Sequence, residues 1–212
     1  MKSIIYGLLV VIALTACLLF AAPKPAVVQD PMQWTIDTEF THPQKVFIRR
    51  TTDNKPIIFW YIIITVTNKT GNDVDFYPKC DLMTDTFQVI PEGKGVISAV
   101  FEQIKRRYKG RYPFLESLGQ TDKKLLEGED NTKDIAVIWP DFDENADNIS
   151  LFITGLSNET AAVDHPVAKE ENGRSQKVYL RKTLELNYAV KNDPVSRSGV
   201  NVSYKGKNWI MR

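Results

Sequence analysis

The sequence predicts a mainly β chain: an antiparallel sandwich with one inserted amphipathic helix. Three observations carry this. Short runs rich in β-branched and aromatic residues recur along the chain, separated by turn residues. One run, 57–68, is apolar on both faces and belongs inside a sheet. A single stretch, 96–108, abandons the period of two for apolar residues four apart. Of 212 residues, 25% are charged and 43% hydrophobic, with 11 Gly and 11 Pro, which excludes disordered, collagen-like and coiled-coil classes. The length suits one domain, or one domain with an extension.

From residue 33 the elements follow in order. Trp34, Ile36, Thr38 and Phe40 alternate with Thr35, Asp37, Glu39 and Thr41, the pattern of a half-buried strand. Lys45 to Arg50 is a second short run, and Ile57 to Asn68 the strongest strand. Asn68-Lys69-Thr70-Gly71 ends it with turn chemistry suited to a hairpin, and residues 74–77 and 81–90 return as further strand. Pro91 to Gly95 breaks the pattern. Val96, Val100, Ile104 and Tyr108, with Ile97 and Phe101 beside them, then form a helical stripe, and Gly110 supplies a stop. Phe114, Leu115 and Leu118 suggest a short helical turn. Strands resume at 134–139 and 149–156 across an acidic turn, 141–148. Residues 164–175 read as a loop. Residues 178–190 are the last long strand, with Tyr179, Leu184, Leu186 and Tyr188 as inward groups. Residues 193–199 are a turn-rich break, and 207–212 a final docking strand.

The N-terminus indicates compartment. Lys2 precedes an uncharged apolar run from Ile4 to Ala22, the physical pattern of an export signal, and at ~1.5 Å per residue it is also long enough to span a bilayer as a helix. A cut after Ala21 or Ala22 would place Leu19 or Phe20 where a small residue is wanted. Leu14-Thr15-Ala16-Cys17 resembles the bacterial lipobox, which makes Cys17 a lipidation candidate, although the chain stays apolar after it. Lipidation, retention as an anchor and cleavage remain open, and each exports the rest of the chain. Residues 1–22 are thus read as signal peptide or membrane anchor, 23–32 as a stiff Pro-containing spacer, and 33–212 as the sandwich domain with a helical insertion at about 96–118. Cys80 is the only other cysteine, so no disulfide can form within 33–212 and the fold must rest on its core. Cys80 is either a small buried hydrophobe or an exposed thiol.

With 27 basic and 26 acidic residues the net charge is +1, which gives no reason to expect nucleic acid as a partner. Asp141, Asp143, Asn145 and Asp147 space oxygens at every second residue, as a calcium loop would, but Ala146 and Phe152 stand where an EF-hand needs Gly and Glu. Gly93-Lys94-Gly95 lacks the third glycine of a dinucleotide fingerprint. His42 and His165 are the only histidines, each before a proline in an expected loop, and no zinc spacing or nucleophile elbow is present. No cofactor is expected. Lys105, Arg106, Arg107, Tyr108, Lys109 and Arg111 mix cations with an aromatic and form the best candidate contact surface, suited to anionic groups. Asn68, Asn148, Asn158 and Asn201 open formal glycosylation sequons, which mean little in a bacterial host.

Trp60 to Gly71 (WYIIITVTNKTG), followed by a strand containing Leu82-Met83-Thr84-Asp85, resembles the Ig-like domains of bacterial exported proteins and lipoproteins. The blocks NTKDIAVIWPDFDENADNISLFITGLSNET and VYLRKTLELNY and the terminal WIMR resemble an uncharacterised family of such proteins. The resemblance implies an Ig-like antiparallel β-sandwich outside the cytoplasm and assigns no catalytic residue. The expected role is that of a membrane-tethered binding or structural module of the cell envelope, contacting another envelope protein or a glycan. The alternative is an envelope-directed hydrolase using carboxylates of the 141–147 turn (Asp141, Asp143 or Glu144) with His165. A purely architectural spacer is a third reading.

Overall fold

The computed structural model describes residues 33–49, 56–169, 173–191 and 201–212. Residues 1–32, including Cys17, lie outside them, as does the 193–199 break. In chain order the strands are β1 (Asp37–Phe40), β2 (Gln44–Arg49), β3 (Pro56–Thr67), β4 (Val74–Asp75), β5 (Lys79–Thr84) and β6 (Val89–Pro91). The helix α1 (Ser98–Tyr108) follows. Then come β7 (Glu116–Ser117), β8 (Lys124–Leu125), β9 (Lys133–Pro140), β10 (Asn148–Thr154), β11 (Thr160–Lys169), β12 (Ser175–Lys191) and β13 (Asn201–Met211). The described residues form a mainly β sandwich with one α-helix, as the sequence predicts.

Sheet one places β3 between β9 on one side and β1 and β2, end to end, on the other, with β7 parallel to β9 at the far edge. The join of β1 to β2 is a bulge. Phe40 pairs with Ile64 and Gln44 with Tyr61, so three residues face two. Thr41 mends the ladder there: its N–H donates to Ile63 O, and its hydroxyl accepts from Ile63 N at 2.8 Å. Sheet two runs β13-β12-β10-β5-β6. Between the sheets, Trp60, Ile62, Ile64 and Val66 of β3 and Ile135, Val137 and Trp139 of β9 meet Leu82, Leu151, Leu184, Leu186 and Tyr188.

The opposite face of sheet one is also apolar. Phe59, Tyr61 and Ile63 alternate with the core-facing residues of β3, and α1 covers them with Val100 and Ile104, both fully buried. Each such side chain contributes about 1.5–3 kcal/mol on leaving water. The helix contacts β2 in descending order: Gln103 Nε2 donates to Phe47 O, and Tyr108 Oη donates to Gln44 Oε1. It therefore runs antiparallel to β2, toward the end of the sandwich where β3 finishes. Gln33 lies toward the same end, because β1 begins opposite Thr67.

Several expectations need correction. The turn at Asn68 does not make a hairpin, since β4 pairs with β8 and the chain crosses to the other sheet. The reason is the Asn68 side chain. It is fully buried; Nδ2 donates to Asn72 O and Leu125 O, and Oδ1 accepts from Thr70 N and Oγ1. These bonds tie the turn to the 125–128 segment, and Gly71, at φ +86°, lets the chain leave it. Leu115 and Leu118 are buried, but Leu115 precedes β7 and Leu118 opens a 3-10 turn (Leu118–Gln120), and Phe114 is 85% exposed. Gly110 does not take the left-handed conformation that would make it a helix stop. Tyr112 N instead still donates to Tyr108 O, and the turn ends at Pro113, which has no N–H to continue it.

Residues 164–169 are strand rather than loop. Thr160–Lys169 and the start of β12 form a hairpin that carries β12 beyond the core. Both its faces meet water, so it leaves no alternating apolar signature. Tyr179 belongs to it and is 71% exposed, out of phase with Leu184, Leu186 and Tyr188. The final strand starts at Asn201, well before 207. All the described strand pairings and both described apolar clusters lie within Gln33–Arg212, which forms one compact unit.

Asn68→Ala should destabilise the fold by about 1–3 kcal/mol in chemical denaturation, because it removes a donor from the buried Leu125 carbonyl. Gly155→Ala should lower the melting temperature. Gly155 sits at φ +82°, and a Cβ there would clash with the Tyr77 carbonyl.

Candidate contact surface

The surface grows from the last turn of α1. Lys105, Arg106 and Arg107 lie there without a matching acidic residue in the first turn, and their charges complement the carbonyl end of the helix dipole. Two of the six predicted residues, Tyr108 and the exposed Arg107, bond to the sheet. Tyr108 and Tyr61 both donate to Gln44 Oε1, at 2.9 and 3.0 Å, with their oxygens 3.2 Å apart. Arg107 Nη1 donates to Tyr61 Oη at 3.0 Å. Burial, then the Tyr108 hydroxyl, pushes the Tyr61 phenol well above its ordinary pKa, with Arg107 pulling the other way, so Tyr61 stays a neutral anchor. Lys105, Arg106, Lys109 and Arg111 remain exposed. Lys105 Nζ lies 5.6 Å from the Phe101 ring centre, and Arg111 stacks 5.2 Å from that of Tyr112, which contacts Tyr108 at 5.7 Å.

The following turn is held closely. Arg111 N and Tyr112 N both donate to Tyr108 O, and Leu115 N donates to Tyr112 O before Leu115 enters the core. Phe114, three residues after Arg111, is thereby displayed to solvent. Sequence reasoning counted it as an apolar member of a turn; its apolarity alone carries no sign of which way it faces.

The 141–147 turn proves to be a plug as much as a solvated loop. Phe142 and Ala146 are buried, and Phe142 packs on Trp60 with ring centres 5.0 Å apart. Asp141 Oδ1 accepts from Trp60 Nε1 at 2.9 Å, and Asp143 Oδ1 accepts from Asn145 N and Nδ2. The carboxylates thus organise the turn, and among the described residues no three His, Cys, Asp or Glu side chains gather as a metal site. Nor does the fold bring these acids to His165. That residue lies in a strand, β11, with Nδ1 accepting from Val167 N and Ala168 N. The seven residues of β10, roughly 23 Å at ~3.3 Å each, separate the turn from the segment leading to it. His42, in the β1–β2 bulge, packs against Tyr204 and Tyr188 at 5.1 and 5.8 Å.

A small cleft of about 200 Å³ lies between the β5–β6 edge and the Leu118 turn, lined in part by Cys80, Glu92, Leu118 and Gly119. Cys80 is buried, and burial, followed by the Asp81 and Glu92 charges, pushes its thiol well up, so it is the small hydrophobe of the two readings. Burial likewise raises the Glu92 carboxyl. Of the sequon asparagines, Asn68 is sealed inside the fold, and Asn148 Nδ2 donates to Asp85 Oδ2.

Cys80 should resist a thiol reagent in the native protein and react at once in denaturant, which a stopped-flow labelling trace would show. Because the folded Glu92 pKa lies above the unfolded one, its ionisation costs stability as pH rises from the unfolded value through the folded one. Glu92→Gln should therefore raise stability at neutral pH and leave it unchanged at acid pH, read from melting temperatures across pH. In comparison with known proteins, the chain matches no family model, and no curated protein or solved structure is significantly similar to it.

Proposed function

We propose that the chain is an exported, membrane-tethered binding or structural module of the bacterial cell envelope, contacting another envelope protein or a glycan. The observation that carries the binding role is the arm made by β11 and the first part of β12. On it Val163, Val178 and Tyr179 are exposed, and Val167 is 82% exposed, beyond the reach of either core cluster. Val163 and Val178 pair across one face of the arm and Tyr179 stands on the other; large apolar side chains held in water are contact points, and they favour a protein over a glycan. Export rests on Lys2, the apolar run 4–22 and the Leu14–Cys17 pattern.

The test is cross-linking in native cells from a photoreactive residue at position 167, followed by recovery from solubilised membranes. An envelope partner should be recovered, and Val167→Ser with Tyr179→Ser should reduce its yield severalfold without moving the melting temperature. Recovery of the protein alone would overturn the binding role and leave the architectural spacer. Fractionation that finds the protein in the cytosol would overturn the export reading.

A further inference from the structure

We propose that the basic tip following α1, residues 105–114, is a second membrane contact that docks on an anionic lipid surface. It deepens the tethered-module reading and takes the nearness of a bilayer from it. Three observations choose lipid as the occupant. First, Lys105, Arg106, Lys109 and Arg111 are exposed within seven residues of a chain whose net charge is only +1, so positive charge is concentrated here; Glu102 is the acidic residue nearest in sequence, one turn back. Second, Phe114, three residues after Arg111, stands 85% exposed while its neighbour Leu115 is buried. Exposed cations followed within a few residues by a bare aromatic suit a headgroup layer with an apolar layer beneath it. An acidic polymer in water would use the charges and leave the phenyl ring without a partner. Third, α1 points toward the end of the sandwich from which Gln33 leads back to the spacer 23–32, a segment that spans at most about 35 Å when extended.

The tip is also preorganised. The Tyr108–Gln44–Tyr61–Arg107 bonds and the Tyr108–Tyr112 ring contact hold the backbone, so little further ordering is needed on docking. Arg107 and Tyr108 serve as supports, and the exposed cations and Phe114 meet the lipid.

The test uses residues 33–212, which contain both apolar clusters and all the described strand pairings, so that the N-terminal run cannot itself bind lipid. Co-sedimentation is measured with phosphatidylcholine vesicles and with vesicles containing about a third phosphatidylglycerol, at about 0.1 M salt. The fragment should bind the anionic vesicles more than tenfold better and lose that preference at high salt. Lys105→Gln, Arg106→Gln and Lys109→Gln together should abolish the preference, at about fivefold per charge. Phe114→Ser should weaken binding severalfold while salt dependence remains. Unchanged melting temperatures show that the variants fold. Equal binding to both vesicle types, or parental binding by the triple variant, overturns the proposal, as does binding to an acidic polysaccharide without binding to vesicles. Because the fragment lacks residues 1–32, failure of the export reading leaves this result standing, and failure here leaves export untouched.

Discussion

One strand, β3, is buried on both faces, and the rest of the structure answers to that. Trp60, Ile62, Ile64 and Val66 need one apolar cover, and Phe59, Tyr61 and Ile63 need another. Sheet two supplies the first and α1 the second. Leaving either face in water would expose side chains worth about 1.5–3 kcal/mol each and a ready surface for aggregation. The helix is therefore part of the fold's core economy, and its stripe of Val100 and Ile104 is committed. What remains for contact is its polar face and the turn beyond its last residue, where Arg107 and Tyr108 brace the tip against the sheet.

Polar groups inside the molecule are handled with similar strictness. Asn68 satisfies four hydrogen bonds at a position with no access to water, and so converts an expected hairpin turn into a crossover between sheets. Trp60 reaches Asp141 at the core's end, where Phe142 closes over it. The carboxylate spacing that suggested a cation serves hydrogen bonding within the turn. Where acids and apolar residues alternate, the apolar partners decide how the segment packs.

The exposed edges show which surfaces are guarded. Along β13, Asn187 pairs with Gly206 and Tyr188 with Tyr204, which leaves Lys205 as the extra residue of a bulge, with Lys207 two positions on. A bulge and lysines on an edge discourage strand addition. The β11–β12 arm also carries charge, with Asp164 paired to Lys177 next to the exposed Val163 and Val178.

The sequence by itself determined the fold class, the doubly apolar central strand and the helix, because burial writes a period of two or of nearly four directly into the order of residues. It also marked the cations of 105–111, since a run of charge is visible without a fold. It did not reveal the β11–β12 arm or the full length of β13, because strands with solvent on both faces carry no alternation. Nor did it show that Phe114 faces water while Leu115 does not, or that Asn68 lies inside. Those facts depend on which surfaces other segments happen to cover. Only tertiary structure decided that the 141–147 acids stand a strand's length from the segment bearing His165, and that the phenylalanine after the basic helix end is bare. Local pattern records how a residue alternates with its neighbours, and the packed chain decides what it meets.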